Sequence, residues 1–196
     1  MARKEITKRL ITAALSGVLV IQGLPMTALA ADTRQGETKA ADGLIASFDF
    51  DQEAEGGGFV GGGAKASGTY TLQEHKGGNA LYLNGSQFLN VTAENGESLL
   101  TGKEEITVSY DAKATKGEKS WTFFAAPNGN TQTYKQEHYL GVLHTNGAIK
   151  VERYNNAGER PGSLNATVSN DWMHVDVVVT EGQTKLYVNG QKEVES

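Results

Sequence analysis

Residues 171–191 read DWMHVDVVVTEGQTKLYVNGQ, and this stretch decides the fold. Two runs rich in Val, Thr and Tyr are separated by a turn around Gly182, and the second run ends in Asn189-Gly190. β-Branched and aromatic residues suit a pleated, half-buried surface, and Asn-Gly supplies the left-handed residues of a tight hairpin turn. The stretch therefore predicts a strand, a turn, a second strand and a second turn.

The same pattern extends back along the chain to residue 44. Residues 106–112 alternate apolar and polar side chains, and Asn-Gly pairs at positions 84 and 146 stand between further strand patterns. No stretch after residue 42 keeps the 3.6-residue apolar period of an amphipathic helix. About nine or ten short strands joined by turns predict an all-β chain, folded as a two-sheet antiparallel sandwich.

Local composition predicts a loop, a hairpin and several core residues of this sandwich. The glycine-rich residues 56–63 predict a loop, because glycine weakens a regular strand. Asn84-Gly85 predicts a hairpin between strands over residues 80–83 and 87–92. Large apolar rings are expected in the core, namely those of Phe48, Phe50, Phe88, Phe123 and Trp172.

The first thirty residues have the layout of a bacterial secretory leader. A basic start is followed by a mostly apolar run over residues 10–24, and small residues at Ala28 and Ala30 suit a signal peptidase. A membrane anchor is the alternative, but Gln22 and Pro25 interrupt a run that is already short for a bilayer. We expect cleavage after Ala30, a secreted chain, and no membrane insertion once the leader is removed.

The domain organisation follows from this prediction. Residues 1–30 form the signal peptide, the small and polar residues 31–42 form a flexible linker, and residues 43–196 form one β-sandwich. Residues 1–30 carry four basic and one acidic side chain, so the formal net charge changes from −5 to −8 when they are removed. An acidic chain without a basic stripe is a poor candidate for nucleic-acid binding. The chain has no cysteine, which excludes disulfides, thiolate metal sites and a cysteine nucleophile.

Several motifs, in order, resemble the laminin-G-like, concanavalin-A-like jelly-roll domains. They lie in residues 43–51, 78–85, 87–91, 106–113 and 171–191, and together they cover nearly all of the chain after the leader. Tyr110 and Asp111 depart from the pattern of the fourth motif. The resemblance implies a jelly-roll sandwich of the kind that accompanies glycoside hydrolase domains in secreted bacterial proteins. Members of this group continue beyond the last hairpin, whereas this chain stops at Ser196, so the resemblance implies a sandwich lacking its final strands.

Catalysis by this chain is not expected. The catalytic relatives with a similar jelly roll carry a strand with three acids at glycosidase spacing, and no such run occurs here. None of the four histidines lies in a nucleophile or metalloprotease motif. His174 is therefore interpreted as a surface histidine that packs or forms hydrogen bonds.

Calcium is the one metal that the sequence suggests. Asp49 and Asp51 share one face of a predicted strand, and calcium prefers hard oxygen ligands. In the resembled domains a structural calcium often links this region to an acidic residue near the C-terminus. The alternative is that both carboxylates simply face solvent.

A carbohydrate surface is the second candidate site. Sugars stack on aromatic rings while polar side chains bind their hydroxyl groups. Two amide-rich segments carry such rings, over residues 128–136 and 154–160. The candidate carbohydrate-binding residues are Tyr134, Tyr139, Tyr154, Asn128, Asn130, Asn155 and Arg160.

These observations predict a non-catalytic carbohydrate-binding module of a secreted bacterial polysaccharide-degrading protein. Its partners would be a polysaccharide or glycan and a downstream catalytic domain, for which the resemblance suggests an arabinanase-like or fructan-hydrolase-like hydrolase. The alternatives are a cell-surface adhesion or protein-interaction module, and a structural spacer that packs on such a hydrolase domain. A sugar binder should expose rings on one face or end, and an adhesion module should show a flat apolar patch.

Overall fold

The structure is a computed structural model, and it describes residues 13–16, 19–22, 43–114, 120–126, 139–145, 147–154, 164–169 and 171–196. These residues hold sixteen β-strands and no helix. Every strand pair is antiparallel. The all-β prediction is therefore confirmed.

The strands follow one another along the chain in short segments. The first eight are β1 (Ala13–Ser16), β2 (Leu19–Gln22), β3 (Leu44–Phe48), β4 (Phe59–Gly61), β5 (Ala64–Thr69), β6 (Thr71–His75), β7 (Gly78–Leu83) and β8 (Phe88–Ala93). The other eight are β9 (Ile106–Ala114), β10 (Ser120–Ala125), β11 (Tyr139–Thr145), β12 (Ala148–Tyr154), β13 (Leu164–Thr167), β14 (Met173–Val179), β15 (Thr184–Val188) and β16 (Gln191–Glu195).

These strands form three sheets. The large sheet has the order β16-β15-β14-β9-β1-β7-β6, and β2 additionally joins β9 to β3. A four-stranded sheet has the order β10-β11-β12-β13, and a three-stranded sheet has the order β4-β5-β8.

The main core lies between the large sheet and the four-stranded sheet. Alternate residues of β9, β14 and β15 meet alternate residues of β11, β12 and β13 in one cluster of buried side chains. Val108, Val175 and Leu186 come from the large sheet, and Val142 and Ile149 come from the four-stranded sheet; all five are fully buried. Burial of such a side chain contributes about 1.5–3 kcal/mol, so this cluster holds the two sheets face to face.

A second core lies under the three-stranded sheet. Phe50 contacts Phe48 in a stacked arrangement and Phe59 edge-on, with ring centroids 6.3 Å and 5.1 Å apart. Small residues from β3 and β5 complete this cluster. Leu100 and Phe123 are partly buried and pack against both cores.

The main core contains one polar pair. The Tyr110 hydroxyl and His144 Nε2 are 3.0 Å apart, and both side chains are fully buried. Burial lowers the pKa of His144 to about 4 and raises the pKa of Tyr110 above its ordinary value. The pair therefore connects the two sheets as neutral side chains at neutral pH.

The hairpin that the sequence predicted most strongly is confirmed. β14 and β15 pair from Val175 with Val188 to Val179 with Thr184. The next turn places Asn189 at φ 50° and Gly190 at φ 76° and leads into β16. Two successive left-handed residues are what a tight primed turn requires, and Asn-Gly adopts them at low cost.

The glycine-rich segment 56–63 was predicted to be a loop, and this prediction is wrong for residues 59–61. Residues 59–61 form β4, which pairs with β5. Gly61 lies against β3 so closely that a Cβ atom there would be 1.8 Å from the Ser47 carbonyl oxygen. The glycines therefore allow a short strand to approach the backbone of β3.

The predicted hairpin at Asn84-Gly85 does not form. β7 pairs with β6 and β1, whereas β8 pairs with β5 in the three-stranded sheet. The turn is instead a corner between sheets, in which Asn84 Oδ1 accepts hydrogen bonds from Ser86 N and Ser86 Oγ. Phe88, which follows this corner, is 60% exposed, so its prediction as a core residue is also wrong.

Two strands come from the segment predicted to be a leader. β1 and β2 both lie within residues 1–30, and they occupy positions inside the large sheet. The predicted linker, residues 31–42, lies outside the described residues. The described part of the chain holds no helix long and apolar enough to cross a membrane.

Candidate functional site

Four aromatic side chains gather on the outer face of the four-stranded sheet. They are Trp121 and Phe124 of β10, Tyr139 of β11 and Tyr154 of β12, and we call them the aromatic platform. The register explains the cluster, because Tyr139 lies opposite Tyr154 and Phe124 lies opposite Gly141. Residues directly opposite or one pleat apart on the same face of a sheet bring their side chains together.

The rings of the platform form a continuous chain of contacts. Phe124 and Tyr154 stack on opposite sides of Tyr139, with ring centroids 5.3 Å and 4.7 Å from it. Trp121 contacts Phe124 edge-on at 5.2 Å and Tyr139 edge-on at 6.1 Å. Such offset-stacked and edge-to-face pairs contribute about 0.5–1.5 kcal/mol beyond their buried area, so these contacts hold the four rings together.

Gly141 determines where the indole ring of Trp121 lies. A Cβ atom at Gly141 would be only 2.1 Å from Trp121 Cζ3 and 2.9 Å from Cε3. The ring therefore rests directly on the backbone of β11, in a space that any other residue would fill. In this position Trp121 is still 40% exposed, which is unusual for so large an apolar side chain.

Charged and hydroxyl groups adjoin the rings. The Tyr139 hydroxyl donates a hydrogen bond of 2.6 Å to Glu152 Oε2, and Lys150 Nζ lies 2.5 Å from Glu152 Oε1. Glu152 is buried and Lys150 is partly exposed. The carboxylate is thus held between a phenol and an ammonium group beside the aromatic surface.

Two of the predicted carbohydrate-binding residues belong to this platform. Tyr139 and Tyr154 are direct neighbours, although Tyr139 is only 4% exposed and both of its ring faces are covered. Tyr154 is half-buried. The other predicted residues lie outside the described part of the chain, namely Tyr134, Asn128, Asn130, Asn155 and Arg160.

Neither Trp121 nor Phe124 of β10 is among the carbohydrate-binding residues that the sequence predicted. Regular alternation does not reveal them, because a β-bulge between Trp121 and Phe123 places these two residues on opposite faces: Phe123 packs on the cores, whereas Trp121 and Phe124 belong to the platform. The available signal is Gly141 in the middle of β11, because glycine inside a strand often marks a close approach.

The predicted calcium ligands Asp49 and Asp51 are both exposed and have local hydrogen-bond partners. Asp49 Oδ1 accepts a hydrogen bond from Asp51 N, and Asp51 Oδ1 accepts one of 2.6 Å from Asn79 N. Phe50, between them, has φ 64°, so the strand has already ended. No group of three or more His, Cys, Asp or Glu side chains suited to a metal ion occurs among the residues that the structure describes.

A polar network lies on the outer face of the large sheet. His174 Nδ1 is 2.7 Å from Asp111 Oδ1, and His174 Nε2 is 3.2 Å from Ser109 Oγ and 3.3 Å from Asp176 Oδ1. Ser109 Oγ donates a hydrogen bond of 2.6 Å to Asp176 Oδ1. The register of β9 and β14 places His174 opposite Asp111 and Asp176 opposite Ser109.

The electrostatics of this network distinguish it from a nucleophilic triad. Hydrogen bonds to Asp111 and then to Asp176 raise the pKa of His174 to about 10, against the lowering effect of burial. Burial would raise the pKa of Asp176, but hydrogen bonds from His174 and Ser109 lower it overall. The imidazole is thus a cation at neutral pH and cannot accept the Ser109 proton, as general-base catalysis would require. The interpretation of His174 as a surface hydrogen-bonding residue agrees with this geometry.

Comparisons with known proteins give little further information. No family model matches the chain, and no curated protein matches it. Among solved structures, the chain is similar to the crystal structure of the botulinum neurotoxin serotype D binding domain, with 13% sequence identity and a TM-score of 0.31. The match covers 66% of this chain and 39% of that chain, so the chain spans less than half of its length.

Proposed function

We propose that this chain is a non-catalytic carbohydrate-binding module, and that the aromatic platform is its binding surface. The observation that carries the proposal is Trp121, a 40% exposed indole held in place over Gly141 and supported by neighbouring rings. An exposed, rigid ring on a sheet face is the feature that a sugar-binding surface requires, because a pyranose stacks its apolar face on such a ring.

The platform also offers polar groups beside its rings. Lys150 and Glu152 lie on the same face of β12 as Tyr154, one pleat apart from each other. Sugar hydroxyl groups accept hydrogen bonds, so the partly exposed Lys150 ammonium suits them, whereas the buried Glu152 carboxylate already binds Tyr139 and Lys150 and holds the ammonium beside the rings. In this proposal Trp121 and Tyr154 contact the sugar, and Tyr139 supports them from within.

The wider context belongs to the same proposal. Two antiparallel sheets packed face to face agree with a jelly-roll sandwich of the laminin-G-like kind. The chain would be secreted from a bacterium after removal of residues 1–30 and would accompany a polysaccharide-degrading domain. It would hold that domain near its polymer and raise the local substrate concentration. A structural calcium ion near Asp49 and Asp51 stays part of the proposal.

The test is retention of the folded full chain on a panel of insoluble polysaccharides, with and without calcium. We expect retention on one polymer and its loss in Trp121→Ala. The matched control is Phe88→Ala, which removes another exposed ring from a different sheet and should leave retention unchanged. Equal loss in both variants, or retention that does not depend on Trp121, would refute the platform as the binding surface.

Failure of the folded chain on every polymer would favour an adhesion module or a structural spacer. The exposed apolar side chains outside the platform give little support to adhesion. Val60 and Phe88 lie on different strands of the three-stranded sheet, and the polar residues Lys65 and Ser67 stand between them in the register. A flat apolar patch is therefore not formed by these two residues.

A further inference from the structure

The place of β1 and β2 in the large sheet has a consequence for the exported chain. β1 lies between β7 and β9, and β2 lies between β3 and β9, so each strand is paired on both sides. Both strands belong to residues 1–30, whose removal is expected on export. Removal of this segment would leave an open strand position inside the sheet.

β1 and β2 together fill this position along most of β9. β2 pairs with residues 107–109 and β1 pairs with residues 112–114 of β9. On the opposite side β1 pairs with residues 80–83 of β7, and β2 pairs with residues 44–48 of β3. We call the space bounded by these four segments the acceptor slot.

The acceptor slot is bordered by the apolar cores. Val108 and Ala112 of β9 are buried on one side, and Ala46 and Leu81 are buried on the other. Unpaired backbone N–H and C=O groups are costly in such a place, because water cannot replace the lost hydrogen bonds, and an open slot presents a row of these groups on each side. Only another extended backbone can pair with both rows at once, because strand pairing needs donors and acceptors at the spacing of a strand.

We propose that the acceptor slot is a β-strand binding site. The uncut chain fills it with its own strands β1 and β2, and the cleaved chain fills it with an extended, uncharged segment of a partner polypeptide. The present occupant indicates this chemistry, because β1 and β2 contain no charged residue and no proline. Main-chain hydrogen bonds supply the affinity in this mode of recognition, and the buried neighbours select apolar, uncharged segments.

The first test concerns the register in the uncut chain. The chain has no cysteine, so an introduced pair reports on one position without competing thiols. Ala14 lies directly opposite Lys113, and Ala14→Cys with Lys113→Cys should form a disulfide under mild oxidation. The control pair, Leu15→Cys with Lys113→Cys, is out of register by one residue and should stay reduced. Equal oxidation of both cysteine pairs, or of neither, would show that β1 does not pair with β9 in this register.

The second test opens the slot in a chain that is already folded. A protease site is inserted within residues 31–42, the full chain is folded, and the site is then cut. We expect residues 1–30 to co-elute with the remainder in gel filtration. A labelled peptide with the sequence of residues 11–24 should then exchange into the cut protein, while the uncut protein should not bind it.

The matched control peptide carries Ala14→Pro and Val20→Pro, which remove two backbone donors. It should bind at least tenfold more weakly than the unmodified peptide, because proline cannot join a strand that is paired on both sides. Equal binding of the two peptides would overturn the proposal, as would loss of the leader fragment without any fall in the melting temperature of the remainder. A cut protein that dimerises and excludes the peptide would refute a partner segment as the occupant.

Discussion

The buried imidazole of His144 predicts how acid destabilises the chain. Its pKa in the folded state is about 4, because burial disfavours the charged ring, whereas an unfolded chain has a histidine pKa of about 6.5. As the pH falls below about 6.5, the His144 imidazole binds a proton in the unfolded state but not in the folded state. Stability is therefore fully present at neutral pH and is lost as the pH falls toward 4.

The size of the effect follows from the two pKa values. Each pKa unit corresponds to about 1.4 kcal/mol, so acidification from pH 7 to pH 4 should remove about 3 kcal/mol through this side chain alone. Domains are typically stable by only about 5–15 kcal/mol, so the loss is a large share of the total. The hydrogen bond between His144 Nε2 and the Tyr110 hydroxyl, 3.0 Å long, is formed with the neutral ring and does not oppose the loss.

The assay is urea unfolding, followed by tryptophan fluorescence at pH 7, 5.5 and 4, for the wild-type chain and for His144→Gln. Carboxylates titrate in both proteins, so the difference between the two curves isolates the imidazole. We expect the variant to be less stable at pH 7 and to lose about 3 kcal/mol less than the wild type on acidification. Parallel curves, or an NMR titration that places the His144 pKa near 6.5 in the folded chain, would show that the reasoning is wrong.

Three further changes test other parts of the structure. Gly141→Ala should displace the Trp121 ring, shift its fluorescence emission and weaken polysaccharide retention, since the added Cβ would lie 2.1 Å from the indole; an unchanged emission spectrum would contradict the close contact. Gly61→Ala should lower the free energy of unfolding in urea by about 2 kcal/mol or more, because its Cβ atom would lie 1.8 Å from the Ser47 carbonyl oxygen. The control variant Gly63→Ala should cost less, because its Cβ atom meets no atom within 4 Å and only the positive φ causes strain. His174→Gln should cost less than about 1 kcal/mol at pH 7, because the raised pKa of His174 belongs to a partly exposed ion pair. The stabilisation by this ion pair is present below the histidine pKa of the unfolded chain and is lost as the pH rises through about 10. The stabilities of wild type and variant should therefore converge above pH 10. A difference that stays constant with pH would contradict the ion pair.

Local patterns predicted the parts of the fold that depend on neighbouring residues. The β14–β15 hairpin and the turn at Asn189-Gly190 follow from β propensity and turn chemistry within about twenty residues. The corner at Asn84-Gly85 has the same local chemistry, yet β7 and β8 join different sheets. Phe88 became exposed for this reason, since the sheet that a strand joins decides which of its faces is covered.

The candidate site was predictable only in part. Tyr139 and Tyr154 were proposed as sugar ligands because they adjoin amide-rich segments, and the structure brings their rings together. Trp121 could not be ranked above them, because its exposure depends on Gly141, twenty residues away in a neighbouring strand. The network around His174 was equally hidden, since Ser109 and Asp111 meet it only through the pairing of β9 with β14.

Leu100 and Phe123 pack against both hydrophobic clusters, and this position gives them a role in cooperativity. Two cores that share side chains lose contacts together, whereas two cores without shared contacts can melt separately. Each of these residues therefore couples the unfolding of the main sandwich to that of the phenylalanine cluster around Phe50. Truncation of Phe123 would act less on the total enthalpy of unfolding than on the number of transitions, so that one calorimetric peak would broaden or divide into two.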